Sequence, residues 1–465
     1  MLAVLGLTAP GRAMAQSAGP GTSAAAADSS RAASAYVGGV LRFIQENGVR
    51  GADRADWPRL RRDALAAAAQ ARSTRDAYGV IRRVLGRLGD RHSRFFTPEE
   101  ARGIARGRVG GFGLKALYPQ GTVAQVDPGG PADRAGIRAG DRLERVAGAF
   151  VRPDGRGVLV DLAGDSLRAV VRKAGSRRTA MIVLAREPVS VNREPAARRL
   201  PRGIGYLELP EHLGSGALGS GGTYQSIAQR AIARADHPRA CGWIVDLRRN
   251  GGGNLWPMLA GVGPILGEGD AGTFVGRGAR STWSYRAGRA LVSGTTAAEV
   301  ENAYVLASPA PPVAVLTSRV TASSGEAVAI AFRGRAGVRS FGEATEGVPT
   351  ANVRKELPDG ALLVLTTALD ADRAGRTYEE RIPPDEPVRT DWTRFGSEAD
   401  PVVRAAERWL GRQPACRAPV RASGPARTAG HRAPGRAVTS RPLRSRPRCA
   451  GCRPGCRNAC RRGSR

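Results

Sequence analysis

Two adjacent serines, Ser323 and Ser324, stand in TASSGEAVAIAF, where a strand-like run gives way to an apolar helix. A serine hydroxyl is a weak nucleophile unless a base lies beside it. The chain offers few bases: four histidines (His92, His212, His237, His431) and three lysines (Lys115, Lys173, Lys355). A second stretch, IVDLRRNGGGNLW, carries Asp246 and Arg248 off a strand into Asn250-Gly251-Gly252-Gly253 and then a helix. Glycines in such a turn let backbone N–H groups approach a ligand at a helix N-terminus, which suits a phosphate or an oxyanion. No Gly-Lys-Ser/Thr follows, so a nucleotide P-loop is not indicated. Either stretch alone is weak evidence, because serines cap helices and glycine turns commonly follow strands.

The elements that must position these residues are legible from periodicity. SAYVGGVLRFIQENG places Tyr36, Val40, Leu41 and Ile44 on one helix face, and the helix ends at Gly48. STRDAYGVIRRVLGRLGD repeats Tyr78, Ile81, Val84, Leu85 and Leu88 and stops at Gly89, after which GDRHSRFF turns into a strand carrying His92 at its entry. Residues 109–187 change to short strands between Gly/Pro turns, with one short helix near Pro131. From about residue 200 strands and helices alternate in an α/β pattern: GIGYLELP, CGWIVDLR, PVAVLTS and GALLVLTTAL are strands, and EADPVVRAAERWLG is the last helix.

Composition narrows the class. The 465 residues are 42% hydrophobic and 24% charged, enough for two or three domains with a sizeable core. A net charge of +31 suggests nucleic acid, but fifteen arginines and no acids lie in residues 412–465, and no arginine–aromatic interleaving appears. Nucleic-acid binding is therefore not expected. No run is long and apolar enough to span a membrane. The start contains a short apolar run and Ala13-Met14-Ala15 before Gln16, which reads as an export signal followed by a disordered leader, residues 1–31. Cys449, Cys452, Cys456 and Cys460 crowd the tail without acidic or apolar neighbours, so the tail reads as disordered arginine-rich sequence rather than a metal site.

Two resemblances join these readings. GGFGLKALYPQGTVAQVDPGGPADRAGIRAGDRLERVAG resembles a PDZ domain, with Gly111-Phe112-Gly113-Leu114 in the position of that family's carboxylate-binding loop. Successive N–H groups there can hold a peptide's C-terminal carboxylate while the peptide adds as a strand. The glycine turn and the serine pair, in this order, resemble the C-terminal processing (tail-specific) peptidase family of serine endopeptidases. The resemblance implies a crotonase/ClpP-like α/β core at 188–411, an inserted, mostly β PDZ domain at 109–187 and an N-terminal helical part at 32–108. It implies Ser323 as nucleophile, with Ser324 the alternative, and oxyanion donors at Gly252 or Gly253 and at Ser324. The family's usual lysine position, in Gly342-Glu343-Ala344-Thr345-Glu346-Gly347-Val348, holds Val348, and Lys355 comes too late. This chain is thus similar to the histidine-using, tricorn-core-like branch. His92, in LGDRHSRFF, is the expected base and His212 the alternative; His92 as a mere helix cap is the structural reading.

GRTYEERIPPDEPV resembles the stretch that supplies the orienting carboxylate, which puts Glu379 there, although Glu380 stands where glycine is usual. No metal or cofactor is implied, and the partners are protein or peptide substrates. The implied function is a periplasmic or secreted serine endopeptidase with PDZ-mediated recognition of substrate C-termini. The rival from another class is a PDZ-bearing pseudo-protease that binds C-termini without cleavage. An acyl-CoA enzyme on the same core has no support from a PDZ unit.

Overall fold

The computed structural model describes residues 20–49, 56–117, 120–147, 164–214 and 216–417. The Ala13-Met14-Ala15 site and the four tail cysteines lie outside the described residues. Helix α1 (Pro20–Asn47) begins inside what the sequence suggested was a disordered leader, and packs with α2 (Trp57–Ala68) and α3 (Ala77–Leu88). Val40, Leu41 and Ile44 on α1 and Ile81, Val84, Leu85 and Leu88 on α3 are buried as the periodicity marks, while Tyr36 and Tyr78 are only half-buried and Val37 is buried without having been marked. Gly89 ends α3 in the left-handed conformation (φ 76°), which glycine adopts without a Cβ penalty. Strand β1 (Arg94–Phe96) then follows. Leu363 and Leu365 from a strand near the C-terminus complete the helices' apolar cluster. The N-terminal helices are therefore built onto the sheet of the larger domain.

Helix α4 (Pro98–Ala105), with Thr97 and Glu100 in a reciprocal cap, leads to β2 (Arg108–Gly111). The small β domain follows: β3 (Leu114–Leu117), β4 (Thr122–Val126), α5 (Pro131–Arg134), β5 (Arg142–Ala147), β6 (Ser166–Arg172) and β7 (Thr179–Ala185). Its strands pair in that order around a core of its own, with Val123, Ile137, Leu167 and Val171 inside. β8 (Glu187–Ser190) returns antiparallel to β2, so the domain hangs from a two-stranded stem.

The larger domain runs β9 (Ala196–Leu200), β10 (Ile204–Glu208), α6 (Tyr224–Ala235), β11 (Gly242–Asp246), α7 (Leu255–Leu266), β12 (Gly269–Gly276), β13 (Arg280–Arg286), β14 (Arg289–Val292), β15 (Thr295–Glu299), β16 (Val313–Thr317), α8 (Ser324–Ala331), β17 (Val338–Gly342), β18 (Thr350–Glu356), β19 (Leu362–Ala371), β20 (Thr377–Tyr378), β21 (Glu386–Pro387), α9 (Pro401–Leu410) and α10 (Pro414–Arg417). One sheet has the order β21-β17-β16-β11-β10-β9, parallel except for β9. Every residue of its central strands β11 and β16 is buried, as expected of strands covered on both faces. The second sheet centres on β19, which pairs with β1, β12, β18 and β20. The mixed α/β class expected from the sequence holds; the β12–β15 meander was not foreseen.

Three features fix β11 and the glycine turn that follows it. Arg248, fully buried, donates to Asp246 (2.6 and 3.0 Å) and to Asp400 (2.8 and 3.0 Å), and Tyr206 also donates to Asp246. The paired acids raise the guanidinium's pKa further despite its burial. Asp400 in turn caps α9. His212 forms a bridge with the turn, accepting at its carbonyl from Asn254 N (2.7 Å) and donating its N–H to Gly252 O (3.2 Å). Its ring is buried and stacked on Tyr224 at 4.7 Å, and that burial lowers its pKa to about 4. Finally Cys241, just before β11, is disulfide-bonded to Cys416 on α10. The expectation that structure ends at Gly411 is corrected here, because the bridge ties residues past it to the core.

Removing that bridge with Cys416→Ser, or truncating after Gly411, is expected to lower the non-reducing melting temperature by the equivalent of ~2–4 kcal/mol. An unchanged melting temperature would mean the bridge contributes nothing. His212 supplies a separate test. Its folded pKa lies below the unfolded value near 6.5, so its stabilisation is complete above that pH and is lost as pH falls towards about 4, on the order of 3 kcal/mol in all. Between pH 7.5 and 5 the melting temperature of His212→Phe should therefore change more favourably than that of the wild type. Parallel curves would refute the assignment.

Candidate active site

Ser323 sits at the N-cap of α8 with φ 52° and ψ −120°, a conformation that costs a non-glycine residue ~1–3 kcal/mol. The surrounding contacts impose it. The preceding turn is stitched to the exit of β11: Ser318 Oγ donates to Arg248 O (2.7 Å), Thr321 Oγ1 to Leu247 O (2.8 Å) and Ala322 N to Asn250 O (3.0 Å). Behind the serine, the buried carboxylate of Glu326 accepts from Ser323 N (2.8 Å), Gly347 N (2.9 Å), Val348 N (2.9 Å) and the Thr345 hydroxyl. Burial raises the Glu326 pKa to about 7 against the opposing effect of those four donors. The two serines differ in their bonding. Ser324 is buried and its hydroxyl donates to Gly253 O (2.8 Å), a structural bond.

The glycine turn packs against Ser323 so closely that side chains are excluded. Gly252 has φ 101°, and a Cβ there would lie 2.7 Å from Ser323 Cβ; at Gly253, φ 121°, it would lie 2.1 Å from His212 O. Buried Asn250 shapes the turn, donating to Leu209 O (2.9 Å) and accepting from Gly252 N (2.9 Å). The Gly252 amide is thereby engaged within the turn. Gly253 and Ser324, not Gly252, border the cavity beside Ser323. Of the sequence-derived donors, Gly252 is thus the one whose N–H the structure assigns elsewhere.

That cavity, about 560 Å³, is lined by both His92 and Ser323. Asp90 accepts from the N–H of His92 (3.0 Å) and of Ser93 (2.9 Å), which shapes the turn into β1. Pairing of β1 with β19 then sets His92 against β18. Its Nδ1 lies 2.6 Å from Thr350 Oγ1 and its Nε2 lies 3.0 Å from Asn352 Nδ2. With the Asn352 amide turned to donate, Nε2 carries the lone pair and Nδ1–H faces Thr350; the reversed amide would give the other tautomer. Sequence reasoning missed Thr350 and Asn352. Their signal was their place, just after the Gly342–Val348 stretch that the sequence already marked.

The remaining sequence-derived residues fall elsewhere. Glu379 and Glu380 are exposed beyond β20 and do not line the cavity. His212 props the turn from behind, and His237 lies in an exposed turn. No lysine lines the cavity: Lys115 pairs with Glu211, Lys173 with Asp141, and Lys355 is exposed with its ammonium over the Phe43 ring at 5.5 Å. Val348 is buried, and its N–H is one of the Glu326 donors. In the small domain, Gly111 ends β2, Phe112 is buried beneath the Arg186 guanidinium (4.9 Å), Gly113 has φ 71° and Leu114 opens β3. Phe112 O accepts from Ala132 N (3.0 Å), which joins this loop to α5.

Comparison with known proteins agrees with this architecture. Residues 203–388 match the model for peptidase family S41, and residues 122–152 match a PDZ domain. The chloroplastic C-terminal processing peptidase of Tetradesmus obliquus is 29% identical over 327 residues, 64% of this chain and 64% of that protein. The nisin-resistance protein of Lactococcus lactis subsp. lactis is 31% identical over 173 residues, 37% of this chain and 52% of that one. The chain thus matches less than two thirds of either relative's length. Among solved structures, a lipoprotein from Streptococcus agalactiae superposes with a TM-score of 0.52 at 18% identity, covering 81% of this chain and 96% of that one. A photosystem II D1 C-terminal processing protease gives 0.51 at 22% identity, covering 79% and 98%. These two share the fold. The chain is thus similar to peptidase family S41 over residues 203–388 and to a PDZ domain over residues 122–152.

Proposed function

We propose that the protein is a serine endopeptidase in which Ser323 attacks the scissile carbonyl and His92 takes its proton. The observation that carries this reading is the strained Ser323 elbow sharing a cavity with the His92 imidazole and with Gly253 and Ser324. When substrate is seated, the Nε2 lone pair of His92 passes from the Asn352 amide to the Ser323 hydroxyl. Thr350 keeps the Nδ1 proton in place throughout, which holds the productive tautomer. The imidazolium then protonates the leaving amine. The N–H groups of Gly253 and Ser324 stabilise the tetrahedral oxyanion, a contribution worth ~3 kcal/mol per donor in related chemistry.

Glu379 is the proposed carboxylate of the apparatus. A Cβ at Gly347 would lie 2.9 Å from Arg381 N, so the segment carrying Glu379 runs beside the approach to Thr350. In this reading the carboxylate acts on the imidazolium charge, and the direct contact belongs to the Thr350 hydroxyl. The PDZ loop Gly111–Leu114 is proposed to hold substrate C-termini. The Cys241–Cys416 bridge supports a periplasmic or secreted location, since disulfides persist in oxidising compartments. No described helix is long and apolar enough to cross a membrane. Val348 in place of the family lysine is the observation that favours the rival reading, a PDZ-bearing pseudo-protease that binds without cutting.

A peptide-cleavage assay separates the two. The wild type is expected to cut, faster when the substrate has a free apolar C-terminus than when it is amidated, and Ser323→Ala to be inactive. His92→Ala should lose at least ~10³-fold in kcat/KM, Glu379→Gln less, and Lys355→Ala almost nothing. An imidazole base works only when unprotonated, so kcat/KM should rise through about pH 6–7.5. Activity surviving in His92→Ala but lost in Lys355→Ala would return the chain to a lysine base. No cleavage by the wild type, with peptide binding intact, would leave the pseudo-protease.

A further inference from the structure

One buried acid on the cavity wall has no role in this apparatus. Asp370 on β19 is 1% exposed, and its Oδ1 has no hydrogen-bond partner among the described residues. No described arginine or lysine pairs with its side chain, which makes no hydrogen bond to His92 or Thr350; its backbone N–H donates to Pro349 O (3.0 Å). Burying a carboxyl without a partner is costly, and folds rarely retain one without a ligand or a function. Burial first, and then the charge of Glu326, hold its pKa well above the usual carboxylate range.

Its neighbours give the space around it a shape. Phe274 on β12 is the direct cross-strand partner of Asp370, so the two side chains share one face, and both border the cavity. Trp256 meets the Phe274 ring edge-on at 6.1 Å and also lines the cavity. Ala327, one helical turn beyond Ser323 on α8, adds a small apolar wall. The result is an aromatic and aliphatic sleeve beside the nucleophile with an unpaired acid in its wall. A long apolar stem ending in a cation matches that lining, which is the build of arginine and lysine side chains. The cavity's own arginines, Arg94 and Arg354, both stand opposite Val364, six residues along β19 from Asp370 and so ~20 Å away.

We propose that this sleeve is a specificity pocket for a basic substrate residue, with Asp370 as its counter-charge. The proposal rests on the peptidase reading for which bond is cut: the basic residue supplies the carbonyl that Ser323 attacks. Occupancy of the pocket, however, can be measured without cleavage.

The test uses two peptides that differ only in carrying Arg or Leu at one position. Binding is measured to the full-length Ser323→Ala protein, and cleavage by the wild type is mapped by mass spectrometry. The Arg peptide is expected to bind and to be cut after arginine with at least a ~30-fold preference over Leu. In Asp370→Asn that ratio should fall towards one, and in Asp370→Glu it should largely survive, which separates loss of the charge from loss of the fold. If Asp370 instead served catalysis, Asp370→Asn would slow both peptides equally and leave the ratio intact, and the pocket assignment would be wrong. Cleavage with no Asp370-dependent preference for arginine overturns the pocket while the peptidase stands. Asp370-dependent binding of the Arg peptide without cleavage upholds the pocket and discards the peptidase.

Discussion

The carboxylate of Glu326 is the joint on which the site depends. It lies buried on the first turn of α8 and accepts from the Ser323 amide on one side and from Thr345, Gly347 and Val348 on the other. The second segment runs directly into β18, whose Thr350 and Asn352 hold both nitrogens of His92. One side chain therefore fixes the Ser323 backbone and the strand that carries the partners of His92. Burying it is unfavourable, and its pKa rises to about 7 even with four donors. The sign of the linkage is opposite to that of His212. A carboxyl whose folded pKa exceeds its unfolded one binds more protons folded, so its contribution to stability declines as pH rises from about 4.5 to 7.

Around that joint, sheet and turn restrict one another. Arg248 is held between Asp246 and Asp400, so the last residues of β11 and the first of α9 are placed together. Removing one member of such a buried pair leaves an unmatched charge and costs ~3–5 kcal/mol. The turn that follows passes so near Ser323 that only glycine fits at residue 252. Val348 donates its backbone N–H to Glu326 and buries its side chain. The His92 imidazole reaches the cavity through β1, on the opposite edge of β19 from β18.

Local signals in the sequence carried well. The helix ending at Gly89, the Asn250–Gly253 turn and the Ser323 helix start are each encoded within a dozen residues, and so is the turn that presents His92. What escaped depends on contacts distant in sequence. Thr350 and Asn352 are ordinary strand residues until β1 docks 258 residues away in sequence, and Asp370 reads as a strand end. The β12–β15 meander was missed because its inward positions, Trp283, Tyr285 and Ala290, are few and separated by arginine, serine and threonine. Cys416 looked like part of a tail because nothing near it in the sequence indicates Cys241 as its partner.

The central claim is that Ser323, poised by Glu326, is the nucleophile. The measurement that bears on it most directly is labelling of the folded protein by a fluorophosphonate, with the adduct located by peptide mass spectrometry. The adduct is expected on Ser323, absent from Ser323→Ala and formed more slowly in Glu326→Gln, whose amide cannot accept from all four donors. An adduct on Ser324, or labelling of Ser323 at an unchanged rate in Glu326→Gln, would contradict the account.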